Sequence, residues 1–341
     1  MQTEIIKFNN DKKILSGAAK ILKDGGLVAF ATETVYGLGG NALDEKAAEK
    51  IYAAKGRPSD NPLIVHISAP EDAKKYAYTN ELYYKLAAAF MPGPITVILK
   101  KKSIIPDSVT GGLDTVALRC PSHPAAKALL DVSELPIAAP SANISGSPSP
   151  TSAEHVIADM NGRIEMIIDG GESEIGLEST IVKIDNDRLT LLRPGAITRD
   201  ALLCVCDNVD IAYSVTESLL PGDKVLSPGM KYRHYSPSKP LVLVDGEADN
   251  VKDFFINAQK REKCIIIGYS EDSCYIEDNK FIDIGSKADL ETQAKRLFSV
   301  LRETEKYDAD IIYAHLPQKE GLGLALYNRL IRAAAHTIKK V

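Results

Sequence analysis

Four cationic side chains lie at or just beyond the ends of predicted helices and strands. Lys55 and Arg57 follow a predicted helix, Arg119 ends a predicted strand, and Arg193 leaves another strand. Arginine binds phosphate and carboxylate through two parallel hydrogen bonds, and lysine adds a point charge. In a chain with a formal net charge of −5, this local concentration of cations predicts a site for an anionic ligand.

Turns rich in hydroxyl and small side chains separate these cations. Such turns occupy residues 32–39, 141–143, 147–151 and 176–180, next to predicted strands. Serine and threonine hydroxyls, together with exposed backbone N–H groups, complete an anion cradle. By themselves these residues predict a phosphate or carboxylate ligand and do not specify a reaction.

Several other chemistries do not fit the sequence. The G-x-x-x-x-G-K-[ST] motif of P-loop NTPases is absent. Gly37, Gly39 and Ala42 match a dinucleotide fingerprint, but five residues separate Gly37 from the preceding strand, where a dinucleotide fold requires none. The five cysteines have no zinc-ligand spacing, so no protein metal site is expected.

The composition predicts a cytoplasmic protein. No apolar run approaches the roughly 20 residues of a membrane span, and the N-terminus has no signal-peptide pattern. The acidic net charge and the lack of a basic patch interleaved with aromatic residues give no strong nucleic-acid footprint. His123, His155, His315 and His336 have no partner spacing that indicates metal binding or catalysis, so we expect structural roles for them.

Apolar periodicity predicts alternating helices and strands over residues 1–205. Asp44 caps a helix that ends at Gly56. Further helices are predicted over 11–24, 80–90, 124–131, 151–159 and 198–203, and strands over 27–31, 63–67, 95–99, 115–118, 137–139, 166–168, 180–184 and 189–192. Because several connections are too short for helical crossovers, we predict an α/β domain with a twisted mixed sheet.

The rest of the chain predicts a linker and a second domain. Residues 221–240 are rich in proline and glycine, so residues 206–239 are assigned to a linker. Strands over 241–244, 264–268, 281–284 and 310–315 then alternate with helices over 249–260, 289–305 and 322–338. This βαβ rhythm predicts a smaller, Rossmann-like three-layer α/β domain over 240–341.

A set of ordered motifs resembles the YrdC family of threonylcarbamoyl-AMP synthases. The motifs are T-E-T-V-Y-G-L at 32–38, K-G-R-P at 55–58, N-P-L at 61–63, S-A-N at 141–143, S-T at 179–180 and R-P-G at 193–195. The resemblance covers about residues 8–205. The segment 227–237, S-P-G-M-K-Y-R-H-Y-S-P, is similar to the linker signature of the longer, two-domain members.

The resemblance implies a division of ligands among residues. The positions that match threonine contacts in the family are Thr34, His66, Arg119, Ala139 and Ser179. The positions that match ATP contacts are Arg57, Asn61, Thr115, Ser141, Asn143, Ser149, Arg193, His234 and Tyr235. Lys55, Arg57 and Arg119 are expected to be catalytic, and the linker is expected to close over the nucleotide.

The implied reaction joins L-threonine, bicarbonate and ATP into threonylcarbamoyl-AMP and pyrophosphate. Magnesium is expected to arrive with ATP, and a downstream transferase would pass the product to tRNA. His66 could be a general base, but an anion-contacting or structural role fits it equally well. Two alternatives stay open, namely a carbamoyl-adenylate-forming carbamoyl transferase with another acceptor and a non-catalytic RNA-binding module.

Overall fold

The computed structural model describes residues 2–217 and 234–341. Two compact units account for these residues. The first contains the chain up to Ser145, residues Ser149–Glu174, and the chain from Glu178 as far as residue 217. The second contains Gly146–Pro148, Ile175–Leu177, and the chain from residue 234 to Val341.

A mixed β-sheet forms the frame of the first unit. Its strands are β1 (Glu4–Lys7), β2 (Val28–Phe30), β3 (Gly37–Asn41), β4 (Ile64–His66), β5 (Ile95–Lys100), β6 (Thr115–Arg119), β7 (Ile137–Ala138), β8 (Met166–Asp169), β9 (Thr180–Asp185), β10 (Arg188–Arg193) and β11 (Val209–Ile211). Their order across the sheet is β1-β8-β2-β3-β7-β4-β6-β5-β9-β10-β11. Parallel pairs such as β4 with β6 alternate with antiparallel pairs such as β5 with β6, which confirms the predicted mixed sheet.

Helices connect these strands, and the two short ones at 73–76 and 107–110 were not predicted. They are α1 (Ser16–Lys23), α2 (Glu45–Lys55), α3 (Ala73–Tyr76), α4 (Glu81–Phe90), α5 (Asp107–Thr110), α6 (Pro124–Ser133), α7 (Ala153–Met160) and α8 (Arg199–Leu203). The Asp44 side chain accepts a hydrogen bond from the backbone N–H of Lys46, and Gly56 ends α2 at φ 61°. This left-handed conformation suits glycine, so both predicted ends of α2 are confirmed.

The segment after β2 was predicted as a turn, but its second half is strand β3. Glycines have low strand propensity, so no strand was predicted there. A side chain at Gly39 would lie 2.7 Å from Ile137 and 2.9 Å from Phe30. The missing side chain therefore permits the close pairing of β3 with its neighbours.

A parallel sheet forms the second unit. Its strands are β12 (Leu241–Asp245), β13 (Cys264–Gly268), β14 (Phe281–Asp283), β15 (Ile311–His315) and β16 (Ile338–Lys340), in the order β14-β13-β15-β12-β16. The helices are α9 (Ala248–Arg261), α10 (Leu290–Glu303) and α11 (Gly323–Ala333). The strand pairings among the described residues of this sheet are all parallel, which confirms the predicted α/β class of the C-terminal part. In the described ranges, no helix is long and apolar enough to span a membrane.

Two further predicted elements differ from the structure. The helix predicted over 322–338 ends at Ala333 because Ala335 and His336 have positive φ angles of 47° and 62°, and the chain then forms β16. Within the predicted linker, residues 209–211 form β11, which pairs with β10. The core of the predicted linker, residues 218–233, lies outside the described residues.

Candidate active site

The two faces of the first sheet differ in what they contact. Side chains alternate between the faces along each strand. Val65 of β4 and Leu118 of β6 belong to the large apolar core that includes residues of α2, α4 and α7. Their neighbours Ile64 and Ala117 belong to a separate, small apolar cluster. The second face of these strands is therefore distinct from the main helix-packed core.

His66 and Arg119 lie on this second face. They are register partners on the parallel strands β4 and β6, and only 3% and 4% of their surfaces are exposed. Among the described residues, neither Nδ1 of His66 nor Nε of Arg119 has a hydrogen-bond partner. Buried polar atoms without a partner are uncommon and costly. Two such atoms on paired residues indicate a ligand site, and the sequence predicted threonine contacts at both residues.

The imidazole of His66 is held neutral by its surroundings. Burial, with the charge of Arg119 adding to it, lowers the pKa of His66 to about 3. The ring also contacts Phe30 edge to face, at 5.9 Å between centroids. A base with so low a pKa would hold a proton poorly near neutral pH, so the structure favours a contact role for His66 over general-base catalysis.

Glu33 is a buried acid that the sequence analysis did not select. Its Oε1 lies 2.8 Å from Nη2 of Arg119, and its Oε2 accepts hydrogen bonds from the backbone N–H groups of Ser122 and His123. Burial opposes ionisation of this carboxyl, but the charge and hydrogen bond of Arg119, together with backbone hydrogen bonds, outweigh it and lower the pKa of Glu33. The structure therefore pairs an ionised Glu33 with Arg119.

The turn that contains Thr34 is folded around the hydroxyl of Thr32. Thr32 Oγ1 lies 2.8 Å from Thr34 Oγ1 and accepts hydrogen bonds from the backbone N–H groups of Thr34 and Val35. Nη2 of Arg119 also lies 3.4 Å from Thr32 Oγ1. Thr34, which was predicted to contact threonine, is fully buried. The side chain of Thr32 thus links Thr34 to Arg119.

Ala139 follows β7 beside the same strands. Its backbone N–H donates to the carbonyl of Ile64 at 2.8 Å, and its side chain is buried. Register places Ile137 of β7 opposite His66. Ala139 is therefore two residues beyond Ile137, the residue that pairs with His66, and it lies on the same face of the sheet.

Ser179 and Arg193 are in direct contact. Nε of Arg193 donates to the carbonyl of Ser179 at 3.0 Å, and Nη2 lies 3.1 Å from Ser179 Oγ. The hydroxyl of Ser179 also lies 2.7 Å from that of Thr96, at the start of β5. The structure therefore places Ser179, predicted to contact threonine, against Arg193, predicted to contact ATP. Thr96 was not among the predicted site residues.

Lys55 holds the loop that contains two predicted ATP residues. Its side chain is 2% exposed. Its Nζ donates to the carbonyls of Ser141 and Asn143 and lies 3.3 Å from Asn143 Oδ1. Ser141 Oγ donates to Asn143 Oδ1 at 2.6 Å. The ammonium therefore fixes the shape of the S-A-N turn.

Arg57, Asn61 and Thr115 lie towards the other end of β4 and β6. Nη2 of Arg57 donates to the carbonyls of Asn61 and Pro62. Asn61 is fully buried, and among the described residues neither its Oδ1 nor its Nδ2 has a partner. Thr115 begins β6 and Arg119 ends it, a separation of about 13 Å along a strand. The strand therefore separates Thr115, predicted for ATP, from Arg119, predicted for threonine.

The last predicted residues are Ser149, His234 and Tyr235. Ser149 is buried, and its hydroxyl donates to Oε1 of Glu178 at 2.6 Å. His234 and Tyr235 belong to the second unit, where the Tyr235 ring lies 5.2 Å from that of Phe298. The other linker residues at 227–233, predicted to close over the nucleotide, are outside the described part of the chain.

Comparisons with protein families agree with the motifs. Residues 20–195 match the Sua5/YciO/YrdC model, described as telomere recombination. Residues 197–335 match the model of the C-terminal domain of threonylcarbamoyl-AMP synthase. The threonylcarbamoyl-AMP synthase of Pyrococcus abyssi is 45% identical over 330 residues, 95% of each chain. That of Bacillus subtilis is 42% identical over 338 residues, 95% of this chain and 94% of the relative.

A solved structure gives the same relationship. The crystal structure of P. abyssi Sua5 complexed with L-threonine matches this chain with a TM-score of 0.92 and 41% sequence identity, and the match covers 100% of both chains. The match confirms the predicted α/β class of both parts of the chain. The chain therefore belongs to the Sua5/YciO/YrdC family and carries the C-terminal domain of its two-domain threonylcarbamoyl-AMP synthases.

Proposed function

We propose that this protein condenses L-threonine, bicarbonate and ATP into threonylcarbamoyl-AMP and pyrophosphate. Relatives at 45% and 42% identity have the name threonylcarbamoyl-AMP synthase, and one relative was solved in complex with L-threonine. The observation in this chain that carries the proposal is the pair of buried nitrogens on His66 and Arg119 that have no hydrogen-bond partner among the described residues. These atoms suit the polar groups of an amino acid.

The end of the site at Arg119 would hold threonine. The guanidinium can donate to the carboxylate through Nε, a group without a partner among the described residues. His66 offers a further ring nitrogen and stays uncharged at neutral pH because burial lowers its pKa. A neutral ring does not add a second positive charge near the amine of threonine, which must be deprotonated to react.

The region around Asn61 would hold the nucleotide. The buried amide of Asn61 offers a donor and an acceptor that no described residue satisfies. Arg57 approaches the backbone of the same segment, and Lys55 holds the turn at Ser141. Cations and hydroxyls of this kind suit the phosphates of ATP.

The chemistry would proceed in two steps. The amine of threonine adds to the carbon of bicarbonate, and loss of water gives a carbamate. A carbamate oxygen then attacks the α-phosphorus of ATP in line, and the bond to the β-phosphate breaks to release pyrophosphate. The anionic transition state requires orientation and charge neutralisation more than a side-chain nucleophile. The enzyme would therefore be an adenylate-forming nucleotidyltransferase.

Magnesium and the next enzyme complete the proposal. The described residues contain no group of three or more metal-binding side chains, so we expect the phosphates of ATP to bring Mg²⁺, which would neutralise charge on the leaving pyrophosphate. The product is a reactive mixed anhydride, and a transferase that modifies adenosine in tRNA next to the anticodon would consume it. The cytoplasm is the expected location of the protein.

Pyrophosphate release tests the proposal. The purified protein is incubated with ATP, Mg²⁺ and bicarbonate, with threonine, serine or no amine added. We expect release that depends on both threonine and bicarbonate, together with a product of the mass of threonylcarbamoyl-AMP. Release that does not depend on threonine, or that requires carbamoyl phosphate, would refute the proposal and support a carbamoyl transferase.

A further inference from the structure

The buried carboxylate of Glu33 has two sets of contacts. One oxygen lies 2.8 Å from Nη2 of Arg119, and the side chains of both residues are at most 5% exposed. The other oxygen accepts from the backbone N–H groups of Ser122 at 3.2 Å and His123 at 3.4 Å. These two residues directly precede α6, so the carboxylate connects the guanidinium of Arg119 to the backbone before a helix.

The contacts of Arg119 leave one part of its guanidinium available. Glu33 and Thr32 both contact Nη2, whereas Nε is buried and has no partner among the described residues. An arginine side chain has several rotatable bonds, and a single fixed nitrogen restricts them strongly. The carboxylate therefore determines the direction in which Nε donates.

We propose that Glu33 is a positioning residue for threonine activation, which acts through Arg119 by fixing the guanidinium so that Nε points at the threonine carboxylate. This inference rests on the proposed function. Glu33 need not touch either substrate. Its ionised state fits the role, because three N–H donors and no acceptor surround the carboxylate in the contacts described above.

A simpler reading assigns Glu33 only to charge compensation. A buried arginine without a counter-charge is costly, and any carboxylate nearby would remove that cost. The two readings differ for Glu33→Asp, which keeps the charge but shortens the side chain by one methylene. Charge compensation predicts threonine affinity close to that of the wild type, whereas positioning predicts weaker binding because the guanidinium is no longer held in place.

Titration calorimetry with threonine and with ATP, each added alone, distinguishes the readings. For Glu33→Asp and Glu33→Gln we expect the Kd for threonine to rise on the order of tenfold or more, as for loss of a hydrogen bond to a charged group. The Kd for ATP should change less than threefold. In a double-mutant cycle, adding Glu33→Gln to Arg119→Ala should weaken threonine binding no further.

Glu165→Gln is the matched control. Glu165 is a half-buried carboxylate of the same unit, and it accepts a hydrogen bond from the backbone N–H of Leu27 at 2.8 Å. This variant should bind both ligands as the wild type does. Wild-type affinity in Glu33→Asp, tighter threonine binding in Glu33→Gln, or additive losses in the cycle would overturn the inference. If the wild type itself neither bound threonine nor released pyrophosphate, the proposed function would fail instead.

Discussion

The buried ring of His66 predicts a loss of stability in mild acid. Burial lowers the pKa of His66 to about 3, against an ordinary value of 6.5. Below pH 6.5 the unfolded chain binds a proton at this residue that the folded protein does not bind, so the free energy of unfolding falls with pH. This penalty is small above pH 6.5 and grows until the pH reaches the folded pKa. One proton is worth about 1.4 kcal/mol per pH unit, so His66 should cost about 2 kcal/mol between pH 7 and pH 5.

Comparison with His66→Gln isolates this contribution. Loss of the ring contact with Phe30 lowers stability at every pH, and that cost cancels when each protein is compared with itself at pH 7. Burial also lowers the pKa of His123, and this residue contributes equally to both proteins. Urea unfolding followed by circular dichroism at pH 7, 6 and 5 should show that the wild type loses about 2 kcal/mol more than the variant.

Two results would refute this reasoning. The first is an equal loss of stability in the wild type and the variant between pH 7 and pH 5. The second comes from NMR titration of the imidazole signals, where the chain has six histidines and the signal missing from His66→Gln identifies the ring. A His66 signal that titrates near pH 6.5 would show that the folded protein protonates the ring, and would also remove the argument against a general base.

Three further predictions concern the ligands. Arg119→Ala should raise the Kd for threonine on the order of tenfold or more and change the Kd for ATP much less, which separate titrations can contradict. Asn61→Ala should weaken ATP binding while the melting temperature stays constant or rises, because the buried amide makes no hydrogen bond with the described residues; a large fall in the melting temperature would show that the amide is structural. Removing Mg²⁺ with EDTA should stop pyrophosphate release without lowering the melting temperature of the ligand-free protein, and a lowered melting temperature would indicate a metal held by the protein itself.

The contacts of the candidate residues come from the tertiary structure. Lys55 was expected to be catalytic, and the structure shows its ammonium bonded to carbonyls of the S-A-N turn. Glu33 was part of a quoted motif but was not selected, because an acid has no evident role in an anion site. Its contact with Arg119 joins residues 86 positions apart, and no local pattern indicates a pair that distant.

Local features of the chain determined much of the fold. Asp44 and Gly56 define the ends of α2 because capping depends on neighbouring residues and their own backbone angles. Apolar periodicity likewise identified the strands β4 to β6, since burial of one or both faces constrains each strand separately. The ordered motifs then indicated the family and the ligands.

Only the tertiary structure decided which of these residues meet. The order β3-β7-β4-β6 places β7 between β3 and β4, although β7 follows β6 in the chain. Such an order follows from packing of the whole sheet and leaves no local signature. The parallel register that sets His66 beside Arg119 arises in the same way, and so does the burial that leaves one nitrogen of each without a partner among the described residues. The sequence therefore determined which side chains are available, and long-range packing decided which of them lie beside one another.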